Sequence, residues 1–308
     1  MKAVTIDEYG DLDRVRYGER PEPKLGPDQV LVRTRAAGVN PVDWKIVGGG
    51  LDPWFEVHFP VVLGWDLAGV VERPGPAVSE FAPDDEVVGY VREDHIQRGT
   101  YAELVAAPVR TLAPKPRNVS WTQAAGLPLA GLTAYQALRY VLGVTSGDVV
   151  LVHAAAGGVG SMAVQIAKAL GAARVIGTAS QRNHDYLRSL GAEPVEYGEG
   201  LADRVRSLVP EGPSAILDLV GGETLRASVD LVSSPGRVVS ILEPGVPGTR
   251  YHFVRPDPND LRELVRLVEE GRLEITVEAT YPLAEARAAL EHNRRGHTRG
   301  KVVVEVAG

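Results

Sequence analysis

The chain has 308 residues, a formal net charge of -7 and no cysteine. Without cysteine it cannot form disulfides, a thiol nucleophile or a cysteine-ligated zinc or iron–sulfur site. An acidic chain gives no electrostatic reason to expect nucleic acid, and no segment is long and apolar enough for a membrane span, so we expect neither partner. The length favours two domains. The N-terminus, MKAVTIDEYG, lacks a long apolar segment, so we expect a cytoplasmic protein.

The first third of the chain is predicted to be rich in strands. Two β-branched runs bounded by glycine and proline stand out, Gln29–Val39 and Asp66–Glu72. Frequent prolines break the rest of this region into short pieces, which favours strands and turns over long helices.

From about Val119 the chain alternates predicted strands with predicted helices. Continuous apolar runs, as expected for buried parallel strands, occur at Asp148–His153, Arg174–Thr178, Ala215–Val220 and Gly236–Leu242. Strands and helices that alternate at this spacing predict right-handed βαβ units and a doubly wound parallel sheet, and hence an α/β fold.

The pattern changes again after Pro256. A helical apolar stripe precedes a strand-like run, a helical run and a last strand, GKVVVEV. These late elements are candidates for returning to the first domain. The stripe consists of Leu261, Leu264, Val265 and Val268.

A glycine-rich turn between a predicted strand and a predicted helix is the first candidate binding site. It runs from Ala156 through Gly157, Gly158 and Val159 to Gly160, and Ala155 stands where the common G-x-G-x-x-G pattern has its first glycine. In that pattern the second glycine lets the backbone approach a pyrophosphate, the third lets the helix pack near the strand, and the helix N-terminus attracts the phosphates. A purely structural glycine turn is the alternative, but the βαβ context favours a dinucleotide.

The segment after the next strand indicates which dinucleotide binds. An NAD site usually has an acidic residue about 20 residues further on, holding the ribose 2′-hydroxyl. Here the segment GTASQRNH has no acid, but it has Ser180, Arg182 and Asn183. A hydroxyl, a guanidinium and an amide suit a 2′-phosphate, so we predict NADPH. The alternatives are that Arg182 is a solvated surface cation and that Ser180 makes only a local turn bond.

Several longer segments resemble one known family, in family order. They cover nearly the whole chain and are similar to the zinc-independent quinone oxidoreductases (the ζ-crystallin-like branch) of the medium-chain dehydrogenase/reductases. The segments are GVNPVDWKIVGG, FPVVLGWDLAGVVE, GTYAELV, AAGLPLAGLTAYQAL, VLVHAAAGGVGSMAVQIAKALGA, SLGAEPVEY, LDLVGG and GHTRGKVVVEV.

The resemblance implies a two-domain architecture. Residues 1–120 and 257–308 would form a GroES-like, β-rich catalytic domain, and residues 121–256 a Rossmann NADPH-binding domain, with the active site in the cleft. It also favours a homodimer that pairs through the Rossmann sheets.

Zinc alcohol dehydrogenases share this fold and are the natural rival. The resemblance places Asn40 and Trp65 where that class has its cysteine and histidine zinc ligands. An indole cannot bind zinc and a neutral amide is a poor ligand, so we expect no metal.

The same resemblance places the segment NPVDWK at the nicotinamide and substrate pocket. Asn40 would hydrogen-bond the cofactor, Lys45 would stabilise a developing enolate or quinol oxyanion, and Asp43 would orient Lys45 or the ribose. The alternative is that Asp43 and Lys45 form a surface charge pair in a turn.

Four further residues are candidate cofactor contacts by resemblance. Thr133 would lie near the nicotinamide, Tyr197 would contact the adenosine end, and Gly300 and Lys301 match the family's GK pair, with Lys301 reaching the phosphates. The alternatives are a helix hydroxyl, a half-buried aromatic and a lysine that only caps its strand.

These observations together predict an enzyme. We expect an NADPH-dependent, metal-free reductase that transfers a hydride to a quinone or to an activated C=C bond (enone or enal). Such acceptors are already electrophilic and need no Lewis acid. The alternative is a non-enzymatic NADPH-binding structural or redox-sensing protein. The acceptor and the proton donor stay open.

Overall fold

The computed structural model describes residues 1–306, which divide into two compact units. Unit 1 contains Met1–Leu129, Pro256–Glu269 and the described residues from Ile275 onward. Unit 2 contains Ala130–Arg255 and Glu270–Glu274. Within residues 1–306, no helix combines the length and the apolar character that crossing a bilayer requires.

Strands and helices are numbered in chain order. The strands are β1 (Lys2–Ile6), β2 (Arg16–Glu19), β3 (Gln29–Val39), β4 (Glu56–Val57), β5 (Val61–Val62), β6 (Asp66–Pro74), β7 (Glu86–Tyr90), β8 (His95–Ile96), β9 (Leu104–Pro108), β10 (Leu112–Pro114), β11 (Val149–Val152), β12 (Arg174–Thr178), β13 (Glu193–Val195), β14 (Ala215–Asp218), β15 (Val238–Ser240), β16 (Arg250–Tyr251), β17 (Val277–Pro282) and β18 (Lys301–Glu305). The helices are α1 (Pro41–Val47), α2 (Trp121–Gly126), α3 (Pro128–Gln136), α4 (Gly158–Ala169), α5 (His184–Ser189), α6 (Leu201–Leu208), α7 (Gly222–Leu231), α8 (Pro258–Glu269) and α9 (Ala286–Arg295).

Unit 1 is organised around the long strand β3. Its main sheet has the order β10-β7-β6-β3-β18-β17, and β9 also pairs with β3. The last strand, β18, runs antiparallel to β3, so that Val302 lies opposite Val39. The last strand of the chain thus lies in the same sheet as β3, β6 and β7. Apolar side chains of β3, β6, β7 and β9 form the core beneath this sheet.

Unit 2 is a parallel sheet with helices in its connections. The strand order is β13-β12-β11-β14-β15-β16, and every pairing in it is parallel. The chain moves outward from β11 in one direction, then returns to the other side of β11 at β14. This is the doubly wound order, and its reversal lies between β11 and β14. The predicted α/β fold is confirmed.

The short apolar strands explain why unit 2 folds this way. All four residues of β14 are buried, as are the last three of β11, because helices cover both faces of such a sheet. The predicted bounds Arg174–Thr178 are reproduced by β12. In unit 1, α8 buries the predicted stripe that begins at Leu261.

Candidate active site

A group of buried polar and charged side chains lies at the start of α1 in unit 1. The Asn40 amide Nδ2 donates to Asp66 Oδ2 at 2.8 Å, and its Oδ1 accepts from Lys301 Nζ at 2.5 Å. Lys301 Nζ also lies 3.5 Å from Asp66 Oδ2. Asp43 Oδ2 accepts from the Asn40 backbone N–H at 2.8 Å and from the Tyr101 hydroxyl at 2.7 Å. We call these five residues the charged cluster.

Burial controls the ionisation of the charged cluster. Desolvation raises the pKa of Asp43 to about 7 and also raises that of Asp66. Desolvation lowers the pKa of Lys301, while attraction between Lys301 and Asp66 opposes both of their shifts. Asp66 further accepts a hydrogen bond from the Leu129 backbone N–H at 2.7 Å. Because Asp66 has these donors and the ammonium group, we infer that it is the ionised carboxylate of the cluster and that Asp43 is the group that titrates.

Local sequence explains how the cluster is assembled. Asn40 is the N-cap of α1, Pro41 occupies its first turn, and Asp43 Oδ2 reaches back to accept from the Asn40 backbone N–H. On the neighbouring strand a Cβ at Gly38 would lie 2.8 Å from Asp66 Oδ2 and 2.4 Å from the Ala125 carbonyl oxygen. Only glycine lets these elements approach so closely.

Two interpretations of the NPVDWK segment are wrong. Asp43 is fully buried, so it is not half of a surface charge pair. Its carboxylate binds Asn40 and Tyr101, so it does not orient Lys45. Lys45 is half-buried, its Nζ lies 5.7 Å from the centre of the Trp44 ring, and partial burial lowers its pKa. No carboxylate within residues 1–306 contributes to this shift, whose one cause is burial.

The predicted role of Gly300 and Lys301 also needs correction. Lys301 is only 3% exposed, and its ammonium group is bound inside the charged cluster. The structure therefore gives it neither the predicted phosphate contact nor a simple strand cap. Gly300 has a φ of 72°, and a Cβ there would lie 2.3 Å from the Thr276 carbonyl oxygen. These constraints explain this glycine by packing alone.

Trp65 packs among aromatic rings beside Asp66. Its ring centre lies 6.0 Å from that of Phe55 and 6.0 Å from that of Tyr90. The Arg92 guanidinium lies over the Phe55 ring at 5.4 Å. Trp65 therefore acts as an apolar packing residue in this group of aromatic rings.

In unit 2 the glycine-rich turn follows β11, at the reversal point of the sheet. Ala155 N–H donates to the Thr178 carbonyl on β12, and His153 N–H donates to the Leu217 carbonyl on β14. The turn is thus fixed to both neighbours of β11. Gly157 caps α4 without a side chain, so it cannot satisfy the amide groups of the first turn, Gly158 to Gly160.

The glycines of this turn have different reasons to be there. A Cβ at Gly160 would lie 2.3 Å from the Ala154 carbonyl oxygen, so this glycine is required by packing. A Cβ at Gly157 would meet only that oxygen, at 3.5 Å, and its φ of -76° suits any residue. The fold therefore does not require Gly157, whereas a closely approaching ligand would. Ala155 replaces the first glycine because Gly177 on β12 leaves room for its methyl group.

The three predicted 2′-phosphate contacts lie together after β12. A short 3₁₀ turn begins after Ser180, and Asn183 Nδ2 lies 3.5 Å from Ser180 Oγ. Arg182 is exposed, and no carboxylate pairs with it in the described chain. The nearest acid along the chain, Asp185, is bound to Arg188 at 2.6 Å. The structure keeps Arg182 available for an anionic ligand.

The last two predicted cofactor contacts differ in exposure. Thr133 is buried in α3. Tyr197 follows β13 and is 52% exposed, which leaves its ring accessible. Their contacts with a cofactor stay predictions.

Sequence reasoning missed Asp66 and Tyr101. A signal existed for Asp66, since an acidic residue opens the otherwise apolar run DLAGVVE, and buried acids require partners. Tyr101 gave none, because its partner Asp43 is distant along the chain.

Comparisons with known proteins agree with this geometry. Residues 26–117 match the family described as "Alcohol dehydrogenase GroES-like domain", and residues 190–304 match "Zinc-binding dehydrogenase". The chain is 33% identical over 314 residues to the "NADPH-dependent alkenal/one oxidoreductase, chloroplastic" of Arabidopsis thaliana, covering 99% of this chain and 79% of that protein.

Two solved structures are similar over almost the whole chain. The quinone oxidoreductase from Coxiella burnetii is 34% identical with a TM-score of 0.86, covering 100% of this chain and 99% of that one. A mycobacterial protein complexed with NADPH is 29% identical with a TM-score of 0.87, covering 99% of each chain.

Proposed function

Because the chain belongs to the quinone oxidoreductase branch of the medium-chain dehydrogenase/reductases, we propose that it is an NADPH-dependent reductase acting on a quinone or on the activated C=C bond of an enone or enal. Residues 121–256 are the proposed cofactor-binding domain. When bound, NADPH supplies the hydride, and solvent or a side chain supplies the proton.

One observation carries the cofactor proposal. The turn from Ala156 to Gly160 lies at the reversal point of the sheet, and Gly157 leaves space that the fold does not need. Nucleotides bind at this point in doubly wound folds because helix amides there are free to receive phosphate oxygens. The residues present therefore fit a dinucleotide pyrophosphate. Thr133 and Tyr197 remain proposed contacts for its two ends.

NADPH is proposed over NADH because of the segment after β12. Ser180, Arg182 and Asn183 offer a hydroxyl, a cation and an amide close together, and the segment has no carboxylate to hold a free 2′-hydroxyl. Arg182 would pair with the 2′-phosphate.

The donors in unit 1 do not fit the zinc ion that the family name implies. Asn40 Oδ1 accepts from the Lys301 ammonium group, and a divalent cation at that oxygen would meet a positive charge 2.5 Å away. Trp65 has no lone pair to offer, and the chain has no cysteine. No step of the reaction is therefore assigned to a metal.

Among the three predicted catalytic residues, the contacts favour Lys45 for direct chemistry. Both polar atoms of the Asn40 amide are bound inside the charged cluster, and Asp43 is buried in it. Lys45 has a partly buried ammonium group with a lowered pKa. Such a group would stabilise the oxyanion that forms when an enone or quinone accepts a hydride. Asn40 and Asp43 would act by holding the first turn of α1 in place.

Oxidation of NADPH, followed by absorbance, tests the function. We expect turnover with at least one of a quinone, an enone and an alkenal, and none with a simple alcohol and NADP⁺. Lys45→Met should lower kcat about 10²-fold and leave NADPH binding unchanged. NADPH binding without turnover of any acceptor would instead favour the non-enzymatic alternative.

Arg182→Ala tests the cofactor preference. It should raise the KM for NADPH about 10-fold and leave that for NADH nearly unchanged, because only NADPH carries the 2′-phosphate. Arg188→Ala is a matched control, since Arg188 is a surface arginine paired with Asp185. Equal effects of Arg182→Ala on both cofactors would contradict the assignment.

We further propose a homodimer formed through unit 2. Among the described residues β16 is the last strand in the order of the sheet, and Leu242 and Phe253 nearby in sequence are exposed apolar side chains. Light scattering after gel filtration tests this, and a monomer at micromolar concentration would contradict it.

The cytoplasm is the proposed location, which cell fractionation tests.

A further inference from the structure

A line of hydrogen bonds crosses unit 2 beneath the glycine-rich turn. Ala154 N–H donates to Thr178 Oγ1 at 3.1 Å, and Thr178 Oγ1 lies 3.4 Å from His153 Nδ1. On the other side of the ring, His153 Nε2 lies 2.9 Å from Ser228 Oγ, which donates to the Thr224 carbonyl at 2.7 Å. We call these five residues the hydrogen-bonded chain. The hydrogen-bonded chain joins α7 to Ala154.

The direction of each bond in the chain follows from counting protons. Ser228 has one hydroxyl proton and gives it to the Thr224 carbonyl, so its oxygen must accept from His153 Nε2–H. A neutral imidazole has one N–H, so Nδ1 is an acceptor. It receives the Thr178 hydroxyl proton, and Thr178 Oγ1 in turn accepts from Ala154. Every donor in the line has an acceptor.

This arrangement requires a neutral imidazole. His153 is 1% exposed, and desolvation lowers its pKa to about 4, against the opposing attraction of Asp218. Asp218 is itself fully occupied by Ser240 and the backbone amides of Val220 and Gly221. One tautomer of His153 is thus fixed at neutral pH.

The hydrogen-bonded chain ends at Ala154, a residue with a strained backbone. Ala154 has a φ of 47°, in the left-handed region that residues with a Cβ seldom adopt. Such a conformation persists only where surrounding contacts enforce it. Ala154 precedes Ala155 and the turn, and its carbonyl accepts from Gly157 N–H at 3.1 Å. Its backbone conformation therefore sets the direction in which the turn leaves β11.

We propose that Thr178 and His153 are positioning residues for dinucleotide binding, holding Ala154 in its left-handed conformation so that the amides at the start of α4 face the phosphates. The inference rests on the proposed function, since it assumes that NADPH binds this turn. Thr178 acts directly on the Ala154 amide, and His153 acts through Thr178.

Binding of NADPH by four variants tests the proposal. Thr178→Val removes the hydroxyl and should raise the Kd about 10-fold, whereas Thr178→Ser should restore binding to within about 3-fold of wild type. His153→Phe should have an intermediate effect, because Ala154 keeps its own acceptor. Thr111→Val is the matched control: it removes another buried threonine hydroxyl, bound to the Pro108 carbonyl at 2.7 Å in unit 1, and should leave the Kd unchanged.

Amide hydrogen exchange of the ligand-free protein provides a second readout. Thr178→Val should accelerate exchange in the segment from Ala154 to Gly160, and Thr111→Val should not. If Thr178→Val changes neither this exchange nor the NADPH Kd, while lowering the melting temperature as Thr111→Val does, the residues are merely structural and the proposal is overturned. If wild-type protein fails to bind NADPH, the proposed function fails, and the exchange result still decides the role of Thr178.

Discussion

The charged cluster in unit 1 and the hydrogen-bonded chain in unit 2 place polar groups in apolar interiors by different means. The cluster holds two carboxyl groups and one ammonium group, each almost fully buried. The hydrogen-bonded chain holds hydroxyls and a neutral imidazole, whose protons can all be assigned to acceptors. Charges require compensation by other charges, whereas neutral groups require only hydrogen-bond partners.

The two networks also differ in how completely they are satisfied. Asp43 Oδ1 is buried and has no hydrogen-bond partner within the described chain. His153 uses both ring nitrogens. Desolvation by burial raises the pKa of Asp43 and favours its protonated form, so the charged cluster has a group that titrates near neutral pH. The charged cluster should therefore respond to charge removal and to pH more strongly than the hydrogen-bonded chain.

The largest expected effect comes from removing the only ammonium group of the charged cluster. Lys301→Met leaves the carboxylate of Asp66 buried without its cation. We expect a loss of about 3–5 kcal/mol in the free energy of unfolding, measured by urea denaturation, because an uncompensated buried charge is more costly than a lost contact.

Lys115→Met is the matched control for this variant. Lys115 is also largely buried, but its partner Glu86 has a side chain that is 53% exposed. Water can solvate Glu86 after the substitution, so we expect a loss of about 1 kcal/mol or less. Similar losses for both variants would show that the cluster is no more sensitive than an ordinary ion pair.

The next-largest expected effects distinguish the packing role of Gly160 from the ligand-binding role of Gly157 in the glycine-rich turn. Gly160→Ala should cost about 1–3 kcal/mol of stability, because its Cβ would lie 2.3 Å from the backbone oxygen of Ala154. Gly157→Ala should leave stability within about 0.5 kcal/mol of wild type yet raise the NADPH Kd at least about 10-fold, since the methyl group occupies the ligand's approach. Denaturation and NADPH titration of both variants measure this. Unchanged NADPH affinity of Gly157→Ala would contradict a phosphate cradle.

Local patterns were sufficient to predict most of the fold. Apolar runs gave β3 and β12 with their observed bounds, and a 3.6-residue stripe gave α8. These features depend on neighbours in sequence, which a single chain displays directly. The glycine-rich turn was predicted for the same reason.

Contacts between distant segments were not predictable. Lys301 stands beside charged and polar residues in GHTRGK, which is typical of a surface, yet it is buried because β18 inserts between β3 and β17. The Asp43–Lys45 pairing was predicted wrongly for a simpler reason, since residues two apart on a helix do not face each other. The role of His153 depends on Thr178 and Ser228, which only the folded sheet brings to its ring.

The smallest expected effects are two opposite dependences of the free energy of unfolding on pH. The pKa of Asp43 is raised to about 7 in the folded state, so its contribution to stability is present below its unfolded value near 3.8 and is lost as the pH rises through about 7. The pKa of His153 is lowered to about 4 from 6.5, so its contribution is present above 6.5 and is lost as the pH falls towards 4. Each slope reaches at most about 1.4 kcal/mol per pH unit, and the two oppose each other between about pH 4 and pH 6.5.

Two variants separate these slopes, with the free energy of unfolding measured by urea denaturation across this pH range. The stability of wild type minus that of Asp43→Asn should fall as the pH rises, because only wild type must take up a proton at Asp43 on folding in this pH range. The stability of wild type minus that of His153→Gln should rise over the same range, because only wild type must lose a proton from the imidazole on folding. His252, whose pKa burial also lowers to about 4, is present in all three proteins and cancels in the differences. Two differences of the same sign would mean that the charged cluster and the hydrogen-bonded chain do not differ in the way their contacts imply.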